Sequence, residues 1–220
     1  MTRADRTSSF IESLQPALPD WLADIESRAV NDDVPIIRKE TAALLTFLVK
    51  TRRPERILEV GSATGYSALL MWNASGGTVH IDTIEKYEKR IPIAEENFRK
   101  NAGDMISLYA GDAAEVLPSL KQEYDMIFMD AAKGQYLSFL PEVLRLLKSG
   151  GILITDNVLQ EGDVMESRYA VCRRDRTIHS RMRDYIYTLM HHPALESTIL
   201  SGGDGMTLSI KKAPSQGESL

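Results

Sequence analysis

Apolar positions recur along this chain in two rhythms. Up to Arg53 the rhythm is helical: Leu22, Ile25 and Ala29 share one face, and so do Leu44, Phe47 and Leu48. Pro35 suits the first turn of the second of these helices. After Arg53-Pro54 the texture changes to short apolar runs. Residues 56–60, 78–85, 106–109, 124–129 and 152–155 predict five strands. Between them the pattern predicts helices: one leaving the glycine-bearing turn after Val60, one over 86–101 despite Pro92, and one over about 135–147, closed by Gly150-Gly151. Strands alternating with helices imply a parallel sheet covered on both faces. The last part differs. A long helix over about 173–190 has Ile178, Met182, Tyr185 and Leu189 on one stripe, and His191-His192-Pro193 stops it. Two strands, 197–200 and 206–210, flank Gly202-Gly203-Asp204-Gly205, a link short enough for a hairpin. The expected fold is a doubly wound α/β domain over 1–220, mostly parallel with a reversed last strand. It carries a helical N-terminal extension over 1–53 and a loose tail over 213–220.

Composition narrows the class. With 220 residues, 43% hydrophobic and 26% charged, the chain has ordinary globular proportions and can bury a core without staples. No run approaches the ~18 apolar residues that span a bilayer, so no membrane association is expected. The first residues lack the apolar stretch of a secretory signal. The one cysteine, Cys172, allows no internal disulfide and no zinc cluster, so a cytoplasmic location is expected. The formal charge of −5 argues against broad non-specific nucleic-acid binding. It leaves room for a local basic site. Residues 168–183 hold Arg168, Arg173, Arg174, Arg176, Arg181 and Arg183 against one acid, Asp175, a local charge of +5.

In open α/β sheets, ligands bind beyond the carboxyl ends of the strands. Acids collect at those ends here: Glu59, Glu85, Asp112, Asp130 and Asp156. The first strand runs into Glu59-Val-Gly61-Ser-Ala-Thr-Gly65-Tyr66-Ser67, where Gly61 and Gly65 would let the backbone approach a ligand closely. The spacing is not that of a dinucleotide or P-loop motif, and taken alone it is equally a tight strand–helix turn. Glu85 ends the next strand, where an acid can accept hydrogen bonds from both ribose hydroxyls of a nucleoside; it could also cap the next helix. Asp112-Ala113, after the third strand, could meet an adenine edge. Asp130 and Asp156-Asn157 end neighbouring strands, so two carboxylates and an amide can converge. These are hard oxygen ligands of the kind magnesium takes, and two adjacent acids would repel without a cation. A helix cap at Asn157 is the plainer alternative. Lys133, three residues past Asp130, could accept a proton from a metal-bound hydroxyl, or could simply be an exposed lysine.

At these residues the chain resembles the catechol-type, magnesium-dependent O-methyltransferases, over about residues 34–212. The motifs that carry the likeness are Val34-Pro-Ile, the Glu59–Ser67 loop, Met129-Asp-Ala-Ala-Lys-Gly-Gln-Tyr136 and Ile154-Thr-Asp-Asn-Val-Leu159. The resemblance implies a Rossmann-like sheet with a reversed last strand and helices before it. It implies Mg²⁺, or Mn²⁺, on Asp130, Asp156 and Asn157, with Lys133 as base and Asp130 beside it in catalysis. It places S-adenosylmethionine along Ile37, Glu59, Gly61, Gly65, Tyr66, Ser67, Glu85, Asp112, Ala113 and Asp130, and a homodimer is expected. Within the family the chain looks similar to bacterial enzymes that methylate 5-hydroxyuridine in the tRNA anticodon loop. That likeness rests on the Asp130–Tyr136 motif, Asn157-Val-Leu-x-x-Gly162, the arginine-rich stretch, His192-Pro193 and Gly203-Asp204-Gly205. The six arginines then become candidate contacts to the phosphates of an anticodon stem-loop. The alternative substrate is a small catechol or caffeoyl-type diol. A non-catalytic nucleoside-binding protein would keep Gly61 and Glu85 without needing the metal constellation. A NAD-dependent dehydrogenase fits the fold but not the glycine spacing.

Overall fold

A computed structural model describes residues 9–213. The expected loose tail lies outside these residues except for Ala213. Strands β1 (Arg56–Val60), β2 (His80–Glu85), β3 (Ile106–Ala110), β4 (Tyr124–Met129), β5 (Leu147–Thr155), β6 (Leu195–Leu200) and β7 (Met206–Lys211) form one sheet. Their order is β3-β2-β1-β4-β5-β7-β6. The first five are parallel, and β7 runs antiparallel to both β5 and β6, as the short glycine-rich hairpin requires. Among the described residues no helix is long and apolar enough to cross a membrane.

Alternation along the strands builds two cores, because successive side chains point to opposite faces. Ile57, Ile81, Met126, Phe128, Ile152 and Ile154 face one layer of helices. That layer is α1 (Asp20–Asn31), α2 (Lys39–Arg52), α3 (Tyr66–Ala74) and α4 (Ile91–Asn101). Leu58, Val60, Ile84, Ile127, Met129 and Leu153 face the other layer: α5 (Ala113–Ser119), α6 (Tyr136–Leu146) and α7 (Arg176–His191). The chain winds outward in one direction from β1 to β3 and in the other from β4 onward. The boundary between β1 and β4 is therefore a crevice at the strands' carboxyl ends.

Several local expectations are corrected. The helix expected over 86–101 starts only at Ile91, because the N–H groups of Lys86 and Tyr87 donate to the Glu85 carboxylate and Pro92 fits a first turn. Gly150-Gly151 does not close a helix. α6 ends at Leu146 and β5 begins at once, with its ladder shifting between Tyr124↔Leu147 and Met126↔Ile152 and Gly150 at φ 76° absorbing the bulge. α2 buries Thr41, Leu45 and Val49, a face rotated from the expected one, and leaves Phe47 64% exposed. Pro35 lies in the loop before α2 rather than at its first turn. α7 buries His179 in place of Ile178. α5 leaves no mark in the apolar pattern, since it is short and contains Pro118; the Asp112 side chain caps it by accepting from Ala114 N–H at 2.9 Å.

Candidate active site

A cavity of about 640 Å³, in the range of small-molecule sites, opens at the β1–β4 boundary. Its floor is the turn after β1. Gly61 there has φ 103°, and a Cβ on it would sit 2.1 Å from the carbonyl oxygen of Asp130, so the turn and the end of β4 touch backbone to backbone. No other residue type fits this contact. Gly65, at φ 89°, lies against the Phe98 ring, and its role is packing α3 onto α4 rather than lining the cavity. Tyr66 and Ser67 open α3 and line the cavity; the Tyr66 hydroxyl donates to Glu26 at 2.9 Å.

Glu85 organises one wall. One carboxylate oxygen accepts from Ala63 N–H at 2.7 Å and the other from the Lys86 and Tyr87 N–H groups at 2.9 and 2.7 Å. The first oxygen keeps a lone pair for a further donor such as a ribose hydroxyl. Glu85 thus ties the Gly61 turn to the segment after β2; it does not cap α4, which starts at Ile91 behind Arg90. Asp112 and Ala113 complete this end, with Lys86 Nζ 3.4 Å from Asp112. The backbone N–H of Ala114 holds the Asp112 carboxyl below its usual range. Ile37, buried, forms part of the opposite wall. Glu59 is fully buried beneath the floor rather than on it. Burial pushes its carboxyl to about 7 against the lowering effect of Ser67 and Thr83 hydroxyls.

The other end holds Asp130, Lys133 and Asn157 on the cavity wall, with Asp156 behind them. β4 and β5 are neighbours in register, so their ends bring Asp130 and Asp156 together; Asp156 N–H donates to Met129 O at 3.1 Å. Asp156 Oδ1 accepts from Asn157 N–H at 2.8 Å and from the Thr41 hydroxyl at 3.3 Å, while its Oδ2 is buried without a hydrogen-bond partner. Burial, then the Asp156 charge, raises the Asp130 carboxyl to about 7; burial also raises that of Asp156. Asn157 is left-handed at φ 55°, a conformation asparagine tolerates, and it caps no helix. Among the described residues no three His, Cys, Asp or Glu side chains are arranged to hold a metal ion by themselves. The candidate set has two carboxylates, and its third donor is an amide. Its orphaned buried oxygen and mutually repelling acids fit a divalent cation.

Asp204, which the acids at the parallel strand ends do not include, stands beside Lys133. It sits in the β6–β7 hairpin, 6% exposed, with Oδ2 3.4 Å from Lys133 Nζ. The signal was available: a carboxylate between two glycines at the same end of the sheet. The arginines divide. Arg168, Arg173 and Arg174 are exposed, and Arg174 pairs with Asp175 at 3.3 Å. The other three donate to carbonyls of the protein itself: Arg176 to Val171, Arg181 to Gly134 and Arg183 to Val164, at 3.2, 3.1 and 3.0 Å.

Comparison with known proteins identifies the family. Residues 18–212 match the sequence model of the O-methyltransferase family. The chain is 24% identical to a catechol O-methyltransferase of Mycobacterium tuberculosis, covering 89% of this chain and 97% of that protein. It is 30% identical to caffeoyl-CoA O-methyltransferase 1 of Eucalyptus globulus, covering 74% of this chain and 70% of the relative. The S-adenosylhomocysteine-bound structure of the Podospora anserina methyltransferase PaMTH1 superposes with a TM-score of 0.86 at 29% identity, covering 96% and 95% of the two chains. Neither the dehydrogenase nor the non-catalytic alternative draws support from these likenesses. The chain belongs to the O-methyltransferase family and is an S-adenosylmethionine-dependent O-methyltransferase.

Proposed function

We propose that the protein methylates one hydroxyl of a small vicinal diol of the catechol or caffeoyl type, using a divalent cation held by Asp130, Asp156 and Asn157. The observation that carries this reading is the pair of mutually repelling carboxylates, Asp156 buried and Asp130 half-buried on the wall, beside Lys133 at one end of the cavity. A cation would remove the repulsion and give Asp156 Oδ2 a partner, and an all-oxygen donor set suits magnesium or manganese. Such an ion, when bound, supplies Lewis acidity toward hydroxyl oxygens.

The chain's own residues do the rest. Gly61, Ser67, Glu85, Asp112, Ala113 and Ile37 would hold S-adenosylmethionine, which supplies the methyl group. Glu85 accepts from the ribose and fixes the donor along the Gly61 turn. Ile37 and Phe139 exclude water from the cavity walls. Lys133 Nζ accepts the proton of the substrate hydroxyl. Holding the two reactants in one cavity contributes much of the rate, because methyl transfer needs little other proton chemistry. The relatives named for catechol and caffeoyl-CoA favour a small diol over a macromolecule.

A second reading, methylation of 5-hydroxyuridine in the tRNA anticodon loop, is kept by the exposed Arg168, Arg173 and Arg174. It is weakened by Arg176, Arg181 and Arg183, whose guanidinium groups already hold protein carbonyls. Mass spectrometry of products decides between the two, with catechol, a caffeoyl ester and tRNA offered in parallel to enzyme, S-adenosylmethionine and magnesium. A singly methylated diol and unmodified RNA support the first reading. Methoxyuridine in the RNA digest with no diol product would replace it by the second.

A further inference from the structure

We propose that Asp204 is a positioning residue: its Oδ2 holds the Lys133 amino group at the cavity rim, while its Oδ1 ties down the turn that follows Asn157. The inference rests on the reading of Lys133 as proton acceptor.

An aspartate at a hairpin tip ordinarily faces water, yet here the Asp204 side chain is only 5% exposed. A carboxylate taken out of water is costly unless it is paired and hydrogen-bonded. Its two oxygens are used on two different elements. Oδ2 lies 3.4 Å from Lys133 Nζ, in the 3₁₀ turn that follows β4. Oδ1 accepts from the backbone N–H of Glu161, in the turn that follows β5. The backbone repeats the second contact. Leu159 N–H donates to Asp204 O and Val158 N–H to Gly205 O, both at 2.9 Å. Gly205, at φ 76°, is pressed so closely onto Leu159 that a Cβ would lie 2.2 Å from its side chain.

Glu161 and its neighbour Gln160 need this support. Both are non-glycine residues at positive φ, 54° and 51°, a conformation that surrounding contacts must maintain. Asn157, three residues earlier, is itself at φ 55°. The hairpin therefore secures the backbone on which the candidate amide donor sits.

Electrostatics gives Asp204 its second task. Its charge falls near Asp156, where it adds to the repulsion among buried acids. Once Lys133 has accepted a proton, the resulting ammonium has a fixed carboxylate beside it, as a base oriented by a third group does in other enzymes. Without Asp204 the four-carbon lysine stem would sample many rotamers, and few of them place Nζ at the rim.

Two variants separate these tasks. Asp204→Asn keeps an oxygen for the Glu161 N–H and removes the charge facing Lys133; Asp204→Ala removes both. The first readout needs no substrate, metal or methyl donor: the rate at which acetic anhydride acylates Lys133, followed by peptide mass spectrometry with Lys50 as internal reference. A lysine released from its carboxylate acylates faster. In Asp204→Asn, Lys133 should label several-fold faster, with Tm and S-adenosylmethionine affinity near wild type. The kcat should fall about tenfold or more with KM for the diol nearly unchanged, because orientation rather than ground-state binding is lost. Asp204→Ala should add a drop in Tm. Unchanged Lys133 labelling in Asp204→Asn overturns the proposal, and so does wild-type kcat with accelerated labelling. Lys133→Ala, run alongside, keeps the two claims apart. A loss there of less than about tenfold overturns the base reading, since removing a general base costs ~10²–10⁴-fold, while the labelling rate still decides whether Asp204 holds the lysine.

Discussion

At the scale of single residues, the site is built from groups placed where isolated chemistry would not leave them. Glu59 is the extreme case, a fully buried carboxyl raised to about 7 from 4.5 by desolvation. Below about pH 4.5 the folded and unfolded chains both carry its proton and nothing is lost. As pH rises through 7 the folded protein must bury a charge, and this stabilising contribution disappears. Glu59→Gln has no charge to bury. Its Tm should therefore gain on wild type between pH 5 and pH 8, by an amount equivalent to roughly 2–3 kcal/mol for a fully buried group. A pH-independent difference in Tm between the two proteins would contradict this. Gly61 offers a steric counterpart. With φ 103° and an added Cβ only 2.1 Å from the Asp130 carbonyl oxygen, Gly61→Ala must displace the end of β4 or the turn itself. We expect a stability loss of about 2 kcal/mol or more and weakened S-adenosylmethionine binding by calorimetry. Wild-type binding and melting would show that the close approach is dispensable.

At the scale of elements, what the sequence made legible was whatever local pattern decides. The five parallel strands end in acids because they end at the site, and Asp130, Asp156 and Asn157 were legible as a group from that alone. What was not legible depends on partners distant in sequence. α2 buries Thr41 rather than Leu44 because Thr41 donates to Asp156, 115 positions away. Helix α4 starts late because Glu85 takes the N–H groups before it. Asp204 looked like hairpin chemistry, and only the pairing of β7 with β5 brings it to Lys133. The arginine-rich segment around α7 shows the same limit: six like charges read as a binding face, yet three of them brace loops. Replacing Arg183 with Ala should free the Val164 carbonyl and speed hydrogen exchange over residues 160–166, with little change in the salt dependence of activity. Replacing Arg168, Arg173 and Arg174 together tests the RNA reading. If that reading holds, log affinity for an anticodon stem-loop falls with log salt at about −0.7 per phosphate contact in its single-stranded loop, and the triple variant flattens the slope. On the diol reading, turnover is nearly indifferent both to salt and to these three residues.

At the scale of the whole molecule, two cores on opposite faces of one sheet hold the strand ends, and the crevice where the winding reverses is where the proposed reaction would bring both reactants together. The donor end relies on backbone approach and on Glu85. The acceptor end gathers Asp130, Asp156, Asn157, Lys133 and Asp204 from four separate segments, each carried by a different strand end or turn. The two cores hold the fold, whereas the proposed chemistry calls for a cation. The initial rate of methyl transfer from S-adenosylmethionine to catechol, measured first in excess chelator and then after titrating magnesium back, tests this directly. Background turnover with chelator and full recovery with magnesium or manganese are expected, with the folded state and donor binding unaltered throughout. Undiminished turnover in excess chelator would contradict it.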